Sequence, residues 1–81
     1  MTIYVGNIAY SMKEEDMRNA FAEFGKVASA KIIMDKVTGR SKGYGFVEMD
    51  NDAEGNAAVA ALNEKEVGGR RMRVNVARPR D

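Results

Sequence analysis

The 81-residue chain has no cysteine, no histidine and no tryptophan, and one proline. Without cysteine there is no disulfide framework, no thiolate nucleophile and no cysteine zinc site. Without histidine the commonest general base is missing. No enzymatic activity, metal or cofactor is therefore expected. The longest wholly apolar run, Ala57 to Leu62, is only six residues, far short of the roughly 18 needed to span a membrane. The start, Met1-Thr2-Ile3-Tyr4-Val5, carries none of the basic segment, apolar stretch and small-residue cleavage site of a secretory signal. No membrane partner and a cytoplasmic location are expected. Thirteen Lys and Arg against twelve Asp and Glu leave a net charge of +1, which argues against a polybasic chain that grips nucleic acid by bulk charge. The length suits one domain over residues 1–81, with one modest core.

Against these absences, the local patterns are informative. Ile3, Tyr4 and Val5 are β-branched or aromatic and Gly6-Asn7 is a turn signal, so a short first strand is expected. Ser11-Met12-Lys13-Glu14 has the form of a capping box, and Glu14, Glu15 and Asp16 suit a helix N-terminus. Met17, Phe21 and Phe24 recur at helical spacing as a core stripe, and Gly25 supplies a stop, which predicts a helix over about 12–24. A second strand over 26–34 and a third over 43–49 flank the polar loop Asp35 to Ser41. Asp50-Asn51-Asp52 opens a second helix, in which Ala58, Val59 and Leu62 are the apolar positions and Gly55 is a weak point. Val67-Gly68-Gly69 is a turn, and Met72, Val74 and Val76 alternate with Arg71, Arg73 and Asn75 along a fourth strand.

The order is βαββαβ, an α+β ferredoxin-like sandwich: a four-stranded antiparallel sheet with two helices on one face and water on the other. Alternation points Gly43, Gly45, Val47 and Met49 toward the helices and Lys42, Tyr44, Phe46 and Glu48 toward water. Ile3 and Val5 belong to the core, leaving Tyr4 outside. Three of the six aromatic residues thus stand on the open face. Aromatic faces stack on any base, whereas duplexes hide those base faces, so an unpaired nucleic-acid strand, single-stranded RNA or DNA, is the expected partner. Single-stranded DNA offers the same stacking surface. Gly43 and Gly45 would remove bulk beneath the rings.

Lys42-Gly43-Tyr44-Gly45-Phe46-Val47-Glu48-Met49 resembles the octamer signature of the RNA recognition motif family. It matches at seven of its positions and has Met49 in place of the final aromatic. Ile3-Tyr4-Val5-Gly6-Asn7-Ile8 is similar to the family's hexamer, and the resemblance spans residues 2–78. It implies that Tyr4 and Tyr44 stack on successive bases while Phe46 packs against the sugars between them. Met49 falls in the core by alternation, so its departure bears on packing. Asn63-Glu64 stands where the family often has Asn-Gly. Lys31, Lys42 and Arg73 lie on or beside the open face as phosphate contacts, with Arg71, Arg78 and Arg80 as a basic rim. Arg40 belongs to a basic loop able to close over a strand. Asn75 and Ile33 are candidate base or sugar contacts, and Asn7 is a hydrogen-bonding residue at the strand edge. Glu48 suits this face only as an acceptor from a base amino group, and Tyr10 has no assigned role.

Other readings remain at this point. The rings could instead plug a protein interface, and Arg70-Arg71-Met72 is similar to the R-x-F element of related domains that bind peptides. An acylphosphatase shares the layout, but no glycine-flanked phosphate loop followed by arginine is found near the N-terminus. The preferred reading is a monomeric RNA-binding protein like the small stand-alone members found in bacteria, including cyanobacteria, acting in post-transcriptional regulation or RNA chaperoning. An excised domain would read the same. Residues 1–25 sum to −2, 26–49 to +3, 50–66 to −4 and 67–81 to +4. A near-neutral chain can thereby present a positive sheet face while its helices stay acidic.

Overall fold

The computed structural model describes residues 1–77. Arg78, expected in the basic rim, lies outside the described residues, as do Pro79 and Arg80. The elements follow the expected order: β1 (Thr2–Gly6), α1 (Glu14–Ala22), β2 (Val27–Met34), β3 (Ser41–Met49), α2 (Asp52–Leu62), the short pair β4 (Glu66–Val67) and β5 (Arg70–Arg71), and β6 (Arg73–Ala77). The main sheet runs β2-β3-β1-β6 with every neighbouring pair antiparallel, so β1 and β3 occupy its centre.

One side of this sheet is closed. Ile3, Val5, Val47, Met49 and Val74 from the strands form a single buried cluster with Met17 and Phe21 of α1 and Ala58 and Leu62 of α2. Removing this much apolar surface from water is the main force holding the helices down. Met49, where the octamer signature has an aromatic residue, is completely buried, so it fills core volume and leaves the open face untouched. Among the described residues, no helix is long and apolar enough to cross a membrane.

Several local expectations change. α1 begins at Glu14, and its cap is Lys13, whose backbone N–H donates to Asp16 Oδ2 at 3.0 Å. The Ser11–Glu14 box does not form, because Glu14 is used elsewhere: its Oε2 accepts from the Ile32 backbone N–H at 3.1 Å. A donor on the outer strand β2 is thereby satisfied by a side chain from the helix, which blunts a pairing edge. The helix ends at Ala22, so Phe24 sits in the following turn, half-buried against the core. α2 starts as expected, with Asn51 Oδ1 accepting from the Glu54 N–H at 2.9 Å.

The largest difference lies between α2 and β6. Gly68 and Gly69 both have positive φ, 63° and 81°, the conformation of a two-residue hairpin turn of primed type. They close a two-stranded ribbon pairing Glu66 with Arg71 and Val67 with Arg70. Arg71 therefore belongs to this ribbon, and the fourth strand of the main sheet begins at Arg73. Met72 between them is buried.

Candidate nucleic-acid interface

Strand pairing places the open-face residues in cross-strand rows, because directly opposed residues share a face. One row reads Lys31, Phe46, Tyr4 and Asn75 across β2, β3, β1 and β6. The next, toward the end of β1, holds Tyr44, Gly6 and Arg73. On the other side lie Ser29, Glu48, Thr2 and Ala77. The three rings form a closed triangle. Tyr4 lies 5.9 Å from Phe46 and 6.1 Å from Tyr44 between centroids, and Tyr44 lies 6.3 Å from Phe46 with perpendicular planes. These separations fall in the range of attractive aromatic pairs, so the rings restrain one another before any ligand arrives.

Gly6 completes this platform, and it is a residue whose part the sequence reading missed. A Cβ there would come within 2.8 Å of Tyr4 Cε2 and Cζ, so the Tyr4 ring lies across Gly6 and any side chain would lift it. The signal was present: residues i and i+2 of a strand share a face. The glycines of β3 act differently from the expectation that they clear space beneath the rings. Gly45 is buried, and a Cβ there would collide with the Lys31 carbonyl of β2 and lie 3.0 Å from Ile32 Cα. It thus permits close strand approach within the sheet. Gly43 has φ of +86°, a conformation disfavoured for L side chains. The Ser41 hydroxyl accepts from its N–H at 3.0 Å, and its carbonyl accepts from the Ile8 N–H at 3.0 Å.

The polar candidates divide by what they already contact. Lys31 and Asn75 are exposed beside the rings. Arg73 is exposed and reaches Glu64 at 3.8 Å, a surface pair worth about 0–1 kcal/mol and thus easily exchanged for a phosphate. Arg40 and Lys42 are exposed at the Tyr44 end, where they line a cleft with Tyr10, Asp35, Thr38 and Ser41. Asp35 Oδ1 accepts from the N–H groups of Val37 and Thr38, at 2.8 and 3.2 Å. These bonds hold the Asp35 carboxyl below its ordinary pKa, with a smaller contribution from Lys42. Ile33 is half-buried, out of phase with buried Ile32.

Asn7, expected at the strand edge, has φ of 52° and serves the ribbon. Its Nδ2 donates to the Arg71 carbonyl at 2.8 Å, and its Oδ1 accepts from Arg70 Nε and Nη2 at 3.3 and 3.0 Å. Glu48 accepts from the Thr2 hydroxyl, its partner across the strands. Buried Met72 and the tethered Arg70 leave the peptide-binding element without its apolar contact residue.

Comparison with known proteins agrees with this geometry. The family model of the RNA recognition motif matches residues 3–73. The chain is 48% identical over its full length to a Nostoc sp. protein named as an RNA-binding protein, RbpB, covering 79% of it. It is 47% identical to the correspondingly named RbpA of Synechocystis sp., again over the whole chain and covering 80% of that protein. Among solved structures, the RNA-binding protein PG1 superposes with a TM-score of 0.94 at 42% identity, covering 100% of this chain and 98% of that one. The Rna15 domain with bound GU RNA superposes with a TM-score of 0.87 at 32% identity, covering 99% of this chain and 85% of that one. With its open-face rings, its strand order and its matched signature, the chain belongs to the RNA recognition motif family.

Proposed function

We propose that this protein binds short single-stranded RNA on the open face of its sheet, stacking two or three bases on Tyr4, Tyr44 and Phe46. Lys31, Lys42, Arg40 and Arg73 neutralise phosphates alongside, and Asn75 offers hydrogen bonds next to Tyr4. The single observation that carries this reading is the triangle of half-buried rings on a face that neither helix covers. A chain of this size has little stability to spare, and water-facing rings need a ligand to account for them. Members of the RNA recognition motif family are generally non-enzymatic, and we extend that to this chain. It acts as a monomeric single domain over residues 1–81, in the cytoplasm, in post-transcriptional regulation or RNA chaperoning, with single-stranded DNA as a second ligand.

The alternative in which the rings plug a protein interface makes a different prediction. Amide NMR shifts followed during titration with a single-stranded RNA and with a duplex of the same sequence separate the two. The binding reading expects shifts in β1 and β3 with the single strand, few in α1 and α2, and little response to the duplex. Shifts confined to the helices, or none with either RNA, would overturn it.

A further inference from the structure

Tyr10 is not absorbed by the three-ring platform. It lies in the loop between β1 and α1 and is 64% exposed, which leaves its ring face open to a ligand. Its position is nevertheless fixed from two sides. The Arg70 guanidinium carbon sits 5.2 Å from the ring centroid, within cation–π range, and that guanidinium is itself held by two hydrogen bonds to Asn7 Oδ1. The Ile8 N–H bond to the Gly43 carbonyl continues the β1–β3 pairing past the end of β1. The segment bearing Tyr10 therefore stays beside the strand bearing Tyr44. A Cβ built on Gly43 would lie 3.5 Å from Tyr10 Cε1, so the ring borders the backbone immediately before Tyr44.

Tyr10 also forms one wall of the cleft whose other lining residues are Asp35, Thr38, Arg40, Ser41 and Lys42. The cleft measures about 590 Å³, within the size range of small-molecule sites. It contains the parts a nucleotide needs: an aromatic wall for a base, two cations for a phosphate, and hydroxyl and carboxylate groups for base edges. Ser41 and Lys42 of its lining lie on β3 just before Tyr44, which sets the cleft beside that end of the platform.

We propose that this cleft is an additional nucleotide subsite, in which Tyr10 stacks on a base of the same RNA strand next beyond the one on Tyr44, while Arg40 and Lys42 meet its phosphate. Arg70 is a positioning residue that holds the ring directly and is itself held by Asn7. The inference rests on the open-face binding reading and extends its footprint by one nucleotide at the Tyr44 end.

The test compares a mixed-sequence single-stranded trinucleotide with a pentanucleotide extended at both ends, titrated against wild type, Tyr10→Ala and Tyr10→Phe. A stacked base contributes about five- to a hundred-fold in affinity. Wild type should bind the pentanucleotide tighter by a factor in that range. Tyr10→Ala should lose most of that gain while binding the trinucleotide as before, and Tyr10→Phe should keep it, since Phe retains the stacking face. Circular dichroism checks that each variant is folded. If Tyr10→Ala binds both oligonucleotides as wild type does, the subsite is overturned and the platform reading stands. If wild type binds neither, the platform reading fails and the subsite fails with it.

Discussion

The two faces of the sheet are made from the same strands and differ in what they do with large side chains. On the helix side Ile3, Val5, Val47, Met49 and Val74 are wholly buried, and the packing of Phe21 and Met17 against them defines the fold. On the other side Tyr4, Tyr44 and Phe46 are only half-buried, with ring centroids 5.9 to 6.3 Å apart. Adjacent residues of one strand thus serve stability and binding separately: Val47 belongs to one face and Phe46 to the other. That separation allows a protein with one small core to carry a binding surface without weakening the core.

Truncating a ring on each face would break the comparison most sharply if it is wrong. Phe21→Ala leaves a cavity in the core and should cost about 3–5 kcal/mol, a large part of the stability of a chain this size. Phe46→Ala should cost much less stability but about 1–3 kcal/mol of RNA affinity. Denaturant unfolding and RNA titration of both variants measure the two effects; equal losses of stability would show that the open-face rings are structural.

A smaller change should raise stability without weakening RNA binding. Glu64 has φ of 66°, which disfavours any residue with a Cβ, and it also draws on Arg73. Glu64→Gly relieves the strain and removes that pairing. Stability should rise by about 0.5–1 kcal/mol, with a melting temperature a few degrees higher, and RNA affinity should be no lower. A fall in either would contradict this account.

The least effect concerns the Asp35 loop. Its carboxyl is held below the ordinary value of 3.8 by the Val37 and Thr38 N–H groups, so the ionised form favours the folded loop. The stabilisation is present above the ordinary carboxylate range and is lost as pH falls through the lowered value. In a pH titration by NMR, the Val37 and Thr38 amide shifts should follow this single step while core amides do not.

Much of this architecture was legible in the sequence, because alternation and helical periodicity are local signals. The faces of Tyr4, Phe46, Lys31 and Asn75 follow from a period of two, and the Asn51 cap from its residue type. The errors arose where a residue's partner is distant in the chain. Glu14 has the form of a capping residue, yet it bonds Ile32 on another element. Asn7 and Arg70 meet across 63 positions, which no local pattern reveals. Gly68 and Gly69 announced a turn, but only the pairing of Glu66 with Arg71 makes that turn a separate ribbon. Tyr10 had no visible role until Arg70 and the cleft stood beside it.

The central claim is that the open-face rings bind RNA by stacking. Titrating a labelled single-stranded RNA against wild type and the folded Tyr44→Ala/Phe46→Ala double variant tests it most directly. Wild type should bind measurably and the variant should lose at least about tenfold in affinity, with the core intact by circular dichroism; unchanged affinity would contradict stacking.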